Sequence, residues 1–453
     1  MKIVKSLLIF FVMMAVLSTA ILSAEGLPEE PVKAKNIILL VGDGMGFGTM
    51  ELARLMEYGK DGNLYIQQIE NVGLMTTNPA DGIVTDSAAA GTALATGVKT
   101  FNGAIGVDMN KEPVESVTEY FQDMGKSIGL ISTNTIDDAT PATFGAHVSD
   151  RYSGKSEIVR DYFDSQWDVL LGGGNKYFGA AKQDGVDMIA RFQDAGYNYV
   201  ETRDELMNVA DTDKLLGLFS RSYMNYKSDR EEYDSTEPSL QEMTMKALDI
   251  LAADPDGFFL MSEGARIDHA AHAADATSVW LEMIEFDDTV KYCLDWAAEN
   301  GDTLVIVTAD HQTMGIAPTE TIDIEALKNI QVSAEYMALQ LEKNADETQY
   351  TTESIMDTFS EYAGITLTDQ EALGLQNNMS VDLYAYKLGW EIGSIIARNM
   401  GVGVFDRTLR AAGGTGGHSA AWVPVFAQGP GADAYRGCYD NTDLHQLMMD
   451  SMR

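Results

Sequence analysis

Most histidines of this chain lie beside carboxylates or glycines, in patterns that suit metal-dependent chemistry. The chain has only six histidines in 453 residues. Asp268 and His272 are four residues apart, so one helical turn would place both on the same face as a chelating pair. Asp310 and His311 form a second carboxylate–imidazole pair. A single histidine is more often a packed or surface residue, but several such placements together indicate a metal site. Histidine and carboxylate without thiolate favour Zn²⁺, whereas oxygen ligands alone favour Mg²⁺.

Three further segments place single side chains where a backbone could approach a ligand closely. Asp43 lies in the glycine-rich turn 42–46, although an aspartate in a turn is usually only a local hydrogen-bond acceptor. Glu263 closely follows an apolar run, and His418 follows the glycine-rich loop 413–417. Together with the two pairs, these residues could supply a cluster of metal ligands.

Ser87 lies at the predicted start of a helix. The small residues after Ser87 predict a tightly packed helix with Ser87 at its N-terminus, where backbone N–H groups and the helix dipole favour an anion. Simple capping by Asp86 or Ser87 is the alternative, and for this segment alone it is the commoner case. The segment is not G-x-S-x-G, which disfavours a serine activated by a histidine base. A serine at an anion site beside metals could be activated by coordination instead.

The elements that must position these residues are strands followed by helices. Continuous apolar runs of four to eight residues suit strands that are covered on both faces. Helical patterns lie between them, for example at residues 239–252 and 277–300. This alternation predicts an α/β fold with a mostly parallel central sheet and helices on both faces, whose ligands bind beyond the carboxyl ends of the strands. The predicted strands are residues 36–41, 127–132, 168–171, 257–261, 303–307 and 422–427.

Composition and the N-terminus limit the class of protein. Lys2 and Lys5, an apolar run and then small residues predict a signal peptide over residues 1–24, so the protein is expected to be exported to the periplasm or the medium. A membrane anchor is the alternative, but it needs roughly 20 apolar residues. Residues 25–453 are predicted to form a single α/β domain with no membrane span. The net charge of −38 would repel phosphate backbones and argues against nucleic-acid binding.

One stretch interrupts the alternation. Residues 320–405 are rich in helical patterns, as at 354–363 and 383–399, and poor in strand signals. This predicts an insertion before His418, either a lid or an interface element, with an ordinary helical layer as the equal alternative. The two cysteines, Cys293 and Cys438, could be bridged or free.

The segments that carry these residues resemble those of the alkaline phosphatases from Lys35 to about Asp443, more loosely within the insertion. The resemblance implies the α/β fold of that family and hydrolysis of small phosphate monoesters. The segments are VGDGMG (41–46), TDSAAAGTALATG (85–97), DATPA (138–142), AHVSDR (146–151), PSLQEMT (238–244), EGARIDHAAH (263–272), TADHQ (308–312), GGHS (416–419) and DNTD (440–443).

The resemblance also implies roles for individual residues. Ser87 would be the nucleophile that forms a phosphoserine, and Arg151 would bind the phosphate oxygens. Two zinc ions and one magnesium ion are implied. Their ligands would be Asp268, His272 and His418 for the first zinc ion; Asp43, Asp310, His311 and the Ser87 oxygen for the second; and Asp43, Thr140 and Glu263 for magnesium.

Two positions combine features of different relatives. Asp138 aligns with an aspartate beside the magnesium of some bacterial relatives, where animal relatives have histidine, and we include it among the metal-site residues. His269 aligns with a lysine in some relatives and a histidine in others, and is expected to bind substrate. The mixture leaves the metal of the third site open. His147 and His445 match no ligand position and are interpreted as structural.

The resemblance thus indicates an exported, metal-dependent phosphomonoesterase. A related phosphodiesterase or phosphomutase is the alternative among enzymes, and an inactive metal- or phosphate-binding protein is the alternative outside them. The pairing of Ser87 with Arg151 argues against a pure binding protein. A sulfatase is disfavoured because Ser87 is followed by Ala88-Ala89-Ala90 rather than by a C/S-x-P-x-R pattern. Relatives are commonly homodimers, so a homodimer is an option. The acidic, proline-poor, glycine-rich composition suits adaptation to salt or to cold without choosing between them.

Overall fold

The computed structural model describes residues 32–403 except 211 and 231, together with residue 410 and residues 413–452. The predicted signal peptide lies outside these residues, as do the last two residues of the predicted insertion. The strands are β1 (Asn36–Gly42), β2 (Asn71–Thr76), β3 (Ser127–Thr135), β4 (Val169–Gly173), β5 (Asn198–Val200), β6 (Leu215–Leu218), β7 (Phe258–Gly264), β8 (Thr303–Thr308), β9 (Gln312–Thr313), β10 (Ala317–Pro318), β11 (Val402–Gly403), β12 (His418–Ser419), β13 (Val423–Gln428) and β14 (Gly437–Asp440).

Ten of these strands form one sheet in the order β14-β2-β13-β8-β1-β7-β3-β4-β6-β5. Every neighbouring pair is parallel except the two pairs made by β13, which runs antiparallel to β8 and β2. All six predicted strands belong to this sheet, and the predicted mostly parallel α/β fold is confirmed. The central strands β1, β7 and β8 are buried throughout, as continuous apolar runs require.

The register of the central strands brings their carboxyl ends together. Val41, near the end of β1, lies opposite Glu263 of β7 on one side and Thr308 of β8 on the other. The residues that follow these strands therefore share one edge of the sheet, where ligands bind in open α/β sheets.

The helices surround the sheet, and the four predicted helical stretches all contain helices. They are α1 (Phe47–Tyr58), α2 (Ser87–Thr96), α3 (Val117–Asp123), α4 (Ala139–Thr143), α5 (Lys155–Ser165), α6 (Asn175–Phe178), α7 (Met188–Asp194), α8 (Arg203–Met207), α9 (Leu240–Leu251), α10 (Arg266–His272), α11 (Ala276–Asn300), α12 (Ile324–Lys328), α13 (Ala334–Leu339), α14 (Thr352–Ala363), α15 (Asp369–Asn378), α16 (Ala385–Asn399) and α17 (Asn441–Ser451). Residues Ile66–Gln68 and Ala432–Tyr435 form short 3₁₀ helices.

The described part of the predicted insertion is helical and shares a second apolar cluster with α1, α10 and α11. Helices α12 to α16 follow one another, and the short antiparallel pair of β10 and β11 joins the two ends of this segment. Buried side chains such as Phe359 and Ile392 form a cluster separate from the one around the large sheet. Within the described residues, no helix combines the length and apolar character needed to cross a membrane. Cys293 is buried, Cys438 is exposed, and both thiols are free.

Candidate active site

Four of the predicted site residues lie together at the carboxyl ends of the central strands. Asp43 directly follows β1, Glu263 is the penultimate residue of β7, and Asp310 and His311 follow β8. All four side chains are buried. A concentration of buried carboxylates is costly without a compensating cation, so this edge of the sheet is where a metal would stabilise the fold.

Asp268, His272 and His418 form the first group of ligand atoms. Asp268 and His272 lie on one face of α10, as their spacing predicts, and the His272 Nε2 is 3.2 Å from the Asp268 Oδ2. His418 is the first residue of β12 and lies opposite Thr313 of β9 in an antiparallel pair. Its Nε2 is 3.2 Å from the His272 Nε2 and 3.7 Å from the Asp268 Oδ1. One ligand atom of each of the three residues lies within 4.8 Å of the others.

The hydrogen bonds of the two imidazoles show that this group suits a cation. The His272 Nδ1 donates to the Gly416 carbonyl at 2.9 Å, and the His418 Nδ1 donates to the Thr85 carbonyl at 2.9 Å. Because each Nδ1 is engaged with a carbonyl, the two Nε2 atoms are turned toward each other and toward the Asp268 carboxylate. Burial and the nearby His311 lower the pKa of His418 well below its ordinary value. The donor set of one carboxylate and two imidazoles fits Zn²⁺.

Asp43, Asp310 and His311 form the second group. The His311 Nε2 is 3.1 Å from the Asp310 Oδ2 and 3.5 Å from the Asp43 Oδ1. Among the described residues, the buried Asp43 Oδ1 and Asp310 Oδ2 have no hydrogen-bond donor. Burial raises the pKa of Asp43 well above its ordinary value, and the carboxylates of Asp310 and Asp268 raise it further. Unpartnered carboxylate oxygens beside an imidazole nitrogen are again a donor set for zinc.

Glu263 and Thr140 lie together, and the Glu263 carboxylate is close enough to Asp43 to interact with it electrostatically. The Glu263 Oε2 accepts a 2.5 Å hydrogen bond from Ser132, and Thr140 also donates to this carboxylate. Burial raises the pKa of Glu263 to about 8 despite both hydrogen bonds. This group offers oxygen ligands only, which suits Mg²⁺.

Ser87 is the first residue of α2 and faces the second group. Asp86 is the N-cap and accepts from the backbone N–H of Ala89, so capping involves Asp86 and leaves the serine hydroxyl free for another role. The Ser87 Oγ is 3.2 Å from the His311 Nε2, and the side chain is buried. Gly91 lets α2 pack directly against Thr143, where a Cβ would lie 2.6 Å from the threonine oxygen. The serine therefore lies at a tightly packed helix N-terminus beside the carboxylates.

Arg151 is held by two carboxylates rather than exposed as a surface arginine. Its guanidinium donates to Asp86 at 3.3 Å and to Asp138 at 3.0 Å. Asp138 also accepts from Asn134 and from Lys155, both at 2.8 Å. Burial alone would raise the pKa of Asp138, but the Lys155 and Arg151 cations hold it well below its ordinary value. The structure thus gives Asp138 cationic partners and places it outside both groups of ligand atoms.

His269 is neutral and has a fixed hydrogen-bond direction. Its Nδ1 accepts a 2.6 Å hydrogen bond from the buried Arg266, which assigns the ring proton to Nε2. Burial, reinforced by Arg266, lowers the pKa of His269 to about 3. The Asp138 carboxylate is close enough to interact electrostatically with this ring. His269 can therefore donate one hydrogen bond from Nε2.

Three residues of the site were not recognised in the sequence. Lys155 forms ion pairs with Asp138 at 2.8 Å and with the buried Asp137 at 3.2 Å. The position of Lys155 in the first turn of a helix could have indicated these ion pairs. A cation there opposes the helix dipole and needs an acidic partner. Thr313 donates to Asp268, and Trp390 stacks on His272. Nothing local in the sequence indicated either contact.

The remaining two histidines contact other parts of the fold. The His147 Nδ1 donates to the Gly106 carbonyl, and its Nε2 bonds to Glu119. The His445 Nδ1 donates to the Ala95 carbonyl. Neither belongs to the two groups of ligand atoms, in line with the structural interpretation of both.

Comparison with known proteins gives matches over nearly the whole chain. A family model described as alkaline phosphatase matches residues 34–453. The chain is 34% identical over 441 residues to alkaline phosphatase 4 of Bacillus subtilis (strain 168), an alignment that covers 94% of this chain and 90% of that protein.

Solved structures of alkaline phosphatases also match this chain over most of its length. The chain is similar to a cold-active alkaline phosphatase from the psychrophile Shewanella sp., with a TM-score of 0.78, 31% identity, and coverage of 92% of this chain and 100% of that one. For Thermus thermophilus alkaline phosphatase the TM-score is 0.83 at 27% identity, and the alignment covers 95% of this chain and 94% of that one. A variant of the TAB5 alkaline phosphatase, solved with Mg bound in its M3 site, has a TM-score of 0.66 at 28% identity and covers 93% and 99%.

Proposed function

The chain belongs to the alkaline phosphatase family, and we propose that it is an exported, metal-dependent phosphomonoesterase that forms a phosphoserine on Ser87. The observation that carries this proposal is the position of Ser87. A buried hydroxyl at a helix N-terminus, 3.2 Å from an imidazole nitrogen and beside carboxylate oxygens that lack donors, suits attack on a phosphate held at the same place.

Each of the three groups of ligand atoms is proposed to hold one metal ion. Asp268, His272 and His418 would hold one zinc ion, and the group of Asp43, Asp310 and His311 would hold the other. Thr140 and Glu263, with Asp43, would hold magnesium, which the Mg-bound TAB5 relative supports for a third site. Bound there, such ions supply Lewis-acid stabilisation of the negative charge that develops on the attacking and leaving oxygens.

Arg151 and the N-terminus of α2 would position the phosphate. The guanidinium is held by Asp86 and Asp138, and among the described residues its Nε has no acceptor. Its planar donors match phosphate oxygens, and the backbone N–H groups of α2 add to the attraction. His269 can donate a hydrogen bond from its Nε2 to a substrate oxygen. These groups hold the phosphorus in reach of the Ser87 Oγ, which lowers the entropic part of the barrier.

The reaction then proceeds in two displacements. The Ser87 Oγ loses its proton to solvent and bonds to phosphorus, while the bond from phosphorus to the alcohol oxygen breaks and that oxygen takes up a proton. A water molecule next attacks the phosphoserine, releases inorganic phosphate and restores the serine. A nucleophile is required only for turnover, which favours an enzyme over a binding protein.

Export is proposed from the sequence of the first 24 residues. Lys2, Lys5 and the apolar run that follows have the order of a signal peptide. N-terminal sequencing of the protein recovered outside the cytoplasm should begin after Ala20 or Ala24. An intact N-terminus in a membrane pellet would contradict export with cleavage.

The phosphomonoesterase proposal is tested by comparing two aryl esters. We expect rapid turnover of 4-nitrophenyl phosphate and turnover of bis(4-nitrophenyl) phosphate at least about 100-fold slower, because a diester lacks the dianionic phosphate that the site is built to neutralise. Chelation should abolish activity, and zinc with magnesium should restore it. A preference for the diester would instead support the phosphodiesterase alternative, and equal activity with and without chelator would contradict metal dependence.

A further inference from the structure

Four rings form a continuous column that runs from the second group of ligand atoms to the helical insertion. The His311 and His418 rings are stacked with their centroids 3.6 Å apart, and the His418 and His272 centroids are 5.0 Å apart. Trp390 of α16 continues the column, with its ring centroid 5.3 Å from that of His272 and the two planes only 20° apart. Lys387, one turn earlier on α16, places its Nζ 3.2 Å from the Trp390 centroid.

Two glycines of α16 allow Trp390 to reach this place. A Cβ on Gly393 would collide with the carbonyl oxygen of Ala273, so α16 packs with its backbone against the end of α10 that carries His272. A Cβ on Gly389 would lie 3.2 Å from the backbone nitrogen of Glu335, so the same helix also lies close to α13. Trp390 lies between these two close approaches and is fixed over the His272 ring by the packing of the helix.

Further contacts tie His272 and Trp390 into one unit. Arg410 donates to the carbonyl of His272 at 2.9 Å and to that of Trp390 at 3.1 Å. Gly416, whose carbonyl accepts from the His272 Nδ1, is so close to both rings that a Cβ would lie 3.2 Å from the His272 Cε1 and 3.3 Å from the Trp390 Cη2. The orientation of the His272 ring is thus fixed by one hydrogen bond at its edge and by Trp390 on its face.

Trp390 differs from a tryptophan that serves only the apolar core. Trp280 of α11 is also half-buried and also has a lysine, Lys328, over its ring at 5.8 Å. Trp280 packs against both apolar clusters. Among the described residues, Trp390 is a member of neither cluster and packs against neither. The aromatic and cation–π partners of its ring are His272, Tyr386, Lys387 and Arg410.

We propose that Trp390 is a positioning residue for the first metal site, through which the helical insertion fixes the His272 ring and sets the affinity of that site for zinc. The inference rests on the proposed function, because it takes Asp268, His272 and His418 as zinc ligands. A residue that orients a metal-binding histidine without touching the metal typically changes metal affinity by about 10- to 100-fold. The insertion would accordingly contribute to zinc binding rather than only cover the sheet.

The test measures zinc affinity directly in the whole protein. Wild type, Trp390→Leu, Trp390→Phe and the matched control Trp280→Leu are freed of metal and titrated with zinc against a chromophoric chelator. We expect Trp390→Leu to weaken one of the two tighter zinc equivalents by about 10- to 100-fold and leave the other unchanged. Trp390→Phe, which keeps a planar ring, should recover most of the affinity, and Trp280→Leu should bind zinc as wild type does.

A second readout identifies the affected site and separates it from a loss of folding. The zinc equivalent weakened in Trp390→Leu should be the one lost in His418→Ala, and the visible spectrum of the cobalt-substituted protein should change in Trp390→Leu but not in Trp280→Leu. Urea unfolding of the metal-free variants shows whether the two leucine variants are equally folded. Wild-type affinity at both sites in Trp390→Leu would overturn the inference alone. Absence of tight zinc binding in wild type would overturn the proposed function and the inference together.

Discussion

Glu263 should make the stability of the metal-free protein depend strongly on pH. Burial raises the pKa of its carboxyl group to about 8, from an ordinary value of 4.5, although Ser132 and Thr140 donate hydrogen bonds to it. A carboxyl group whose pKa is higher in the folded than in the unfolded chain favours folding while it is protonated. That contribution is complete below about pH 4.5 and is lost as the pH rises through about 8.

The size of this loss follows from the two pKa values. Each pH unit between about 4.5 and about 8 costs about 1.4 kcal/mol, so the free energy of unfolding should fall by up to about 5 kcal/mol for this one group. Small proteins are stable by only about 5 to 15 kcal/mol in total. The metal-loaded protein should escape the loss, because a cation at the site favours the ionised carboxylate.

The assay is urea unfolding of the metal-free protein, in chelator, at about pH 6 and about pH 9. Wild type is compared with Glu263→Gln, which keeps the side-chain shape and an acceptor for Ser132 but cannot ionise. Burial raises the pKa of Asp229 and of Asp287 to about 6, but these groups are the same in both proteins and cancel in the comparison. We expect wild type to lose about 3 kcal/mol more than the variant between the two pH values, because about two pH units of the range lie below the pKa of about 8. Parallel pH profiles would show that the pKa of Glu263 is not raised in the metal-free protein.

Three further predictions concern the ligands, the packing and the charge. His418→Ala should lower the zinc content by about one equivalent, with partial rescue of activity by excess zinc; unchanged metal content and kinetics would place His418 elsewhere. Gly393→Ala should destabilise the protein by about 1–3 kcal/mol in urea unfolding because its Cβ meets the Ala273 carbonyl. Gly374→Ala, in a helix with open space around it, should instead stabilise it slightly, and equal effects of the two would contradict the packing. The thermal midpoint of the metal-loaded protein should rise from dilute buffer to about 1 M NaCl, because salt screens the net charge of −38; a flat or falling midpoint would exclude salt adaptation.

The sequence was most informative about the buried centre of the sheet. The strands β1, β7 and β8 were predicted because strands covered on both faces consist of continuous apolar residues. The four strands toward the two ends of the sheet were missed. β2 mixes buried with half-exposed and exposed positions, β14 is half-exposed or exposed along its length, and β5 and β6 have only three and four residues. Short strands of this kind acquire their structure from the neighbour they pair with.

The site shows the same division between local pattern and tertiary contact. The pairing of Asp268 with His272 follows from helical spacing and is present in the structure. Lys155 was missed because the short helix α4 and the loop after it separate it from its two aspartate partners. Trp390 was missed because it lies 118 positions from His272 in the sequence. Contacts of this kind depend on how helices pack, which periodicity alone does not specify.

The proposed mechanism requires that Ser87 carries the phosphoryl group during turnover. The protein is mixed with substrate, quenched in acid and digested with trypsin, and the peptide between Lys60 and the following lysine, Lys99, is analysed by mass spectrometry. Ser87 is the only serine in this peptide. We expect a phosphate on Ser87 in wild type and none in Ser87→Ala. Turnover in that variant should be reduced by at least about 1,000-fold with the fold preserved. Near-wild-type turnover by Ser87→Ala, or a phosphate on another residue, would contradict this mechanism.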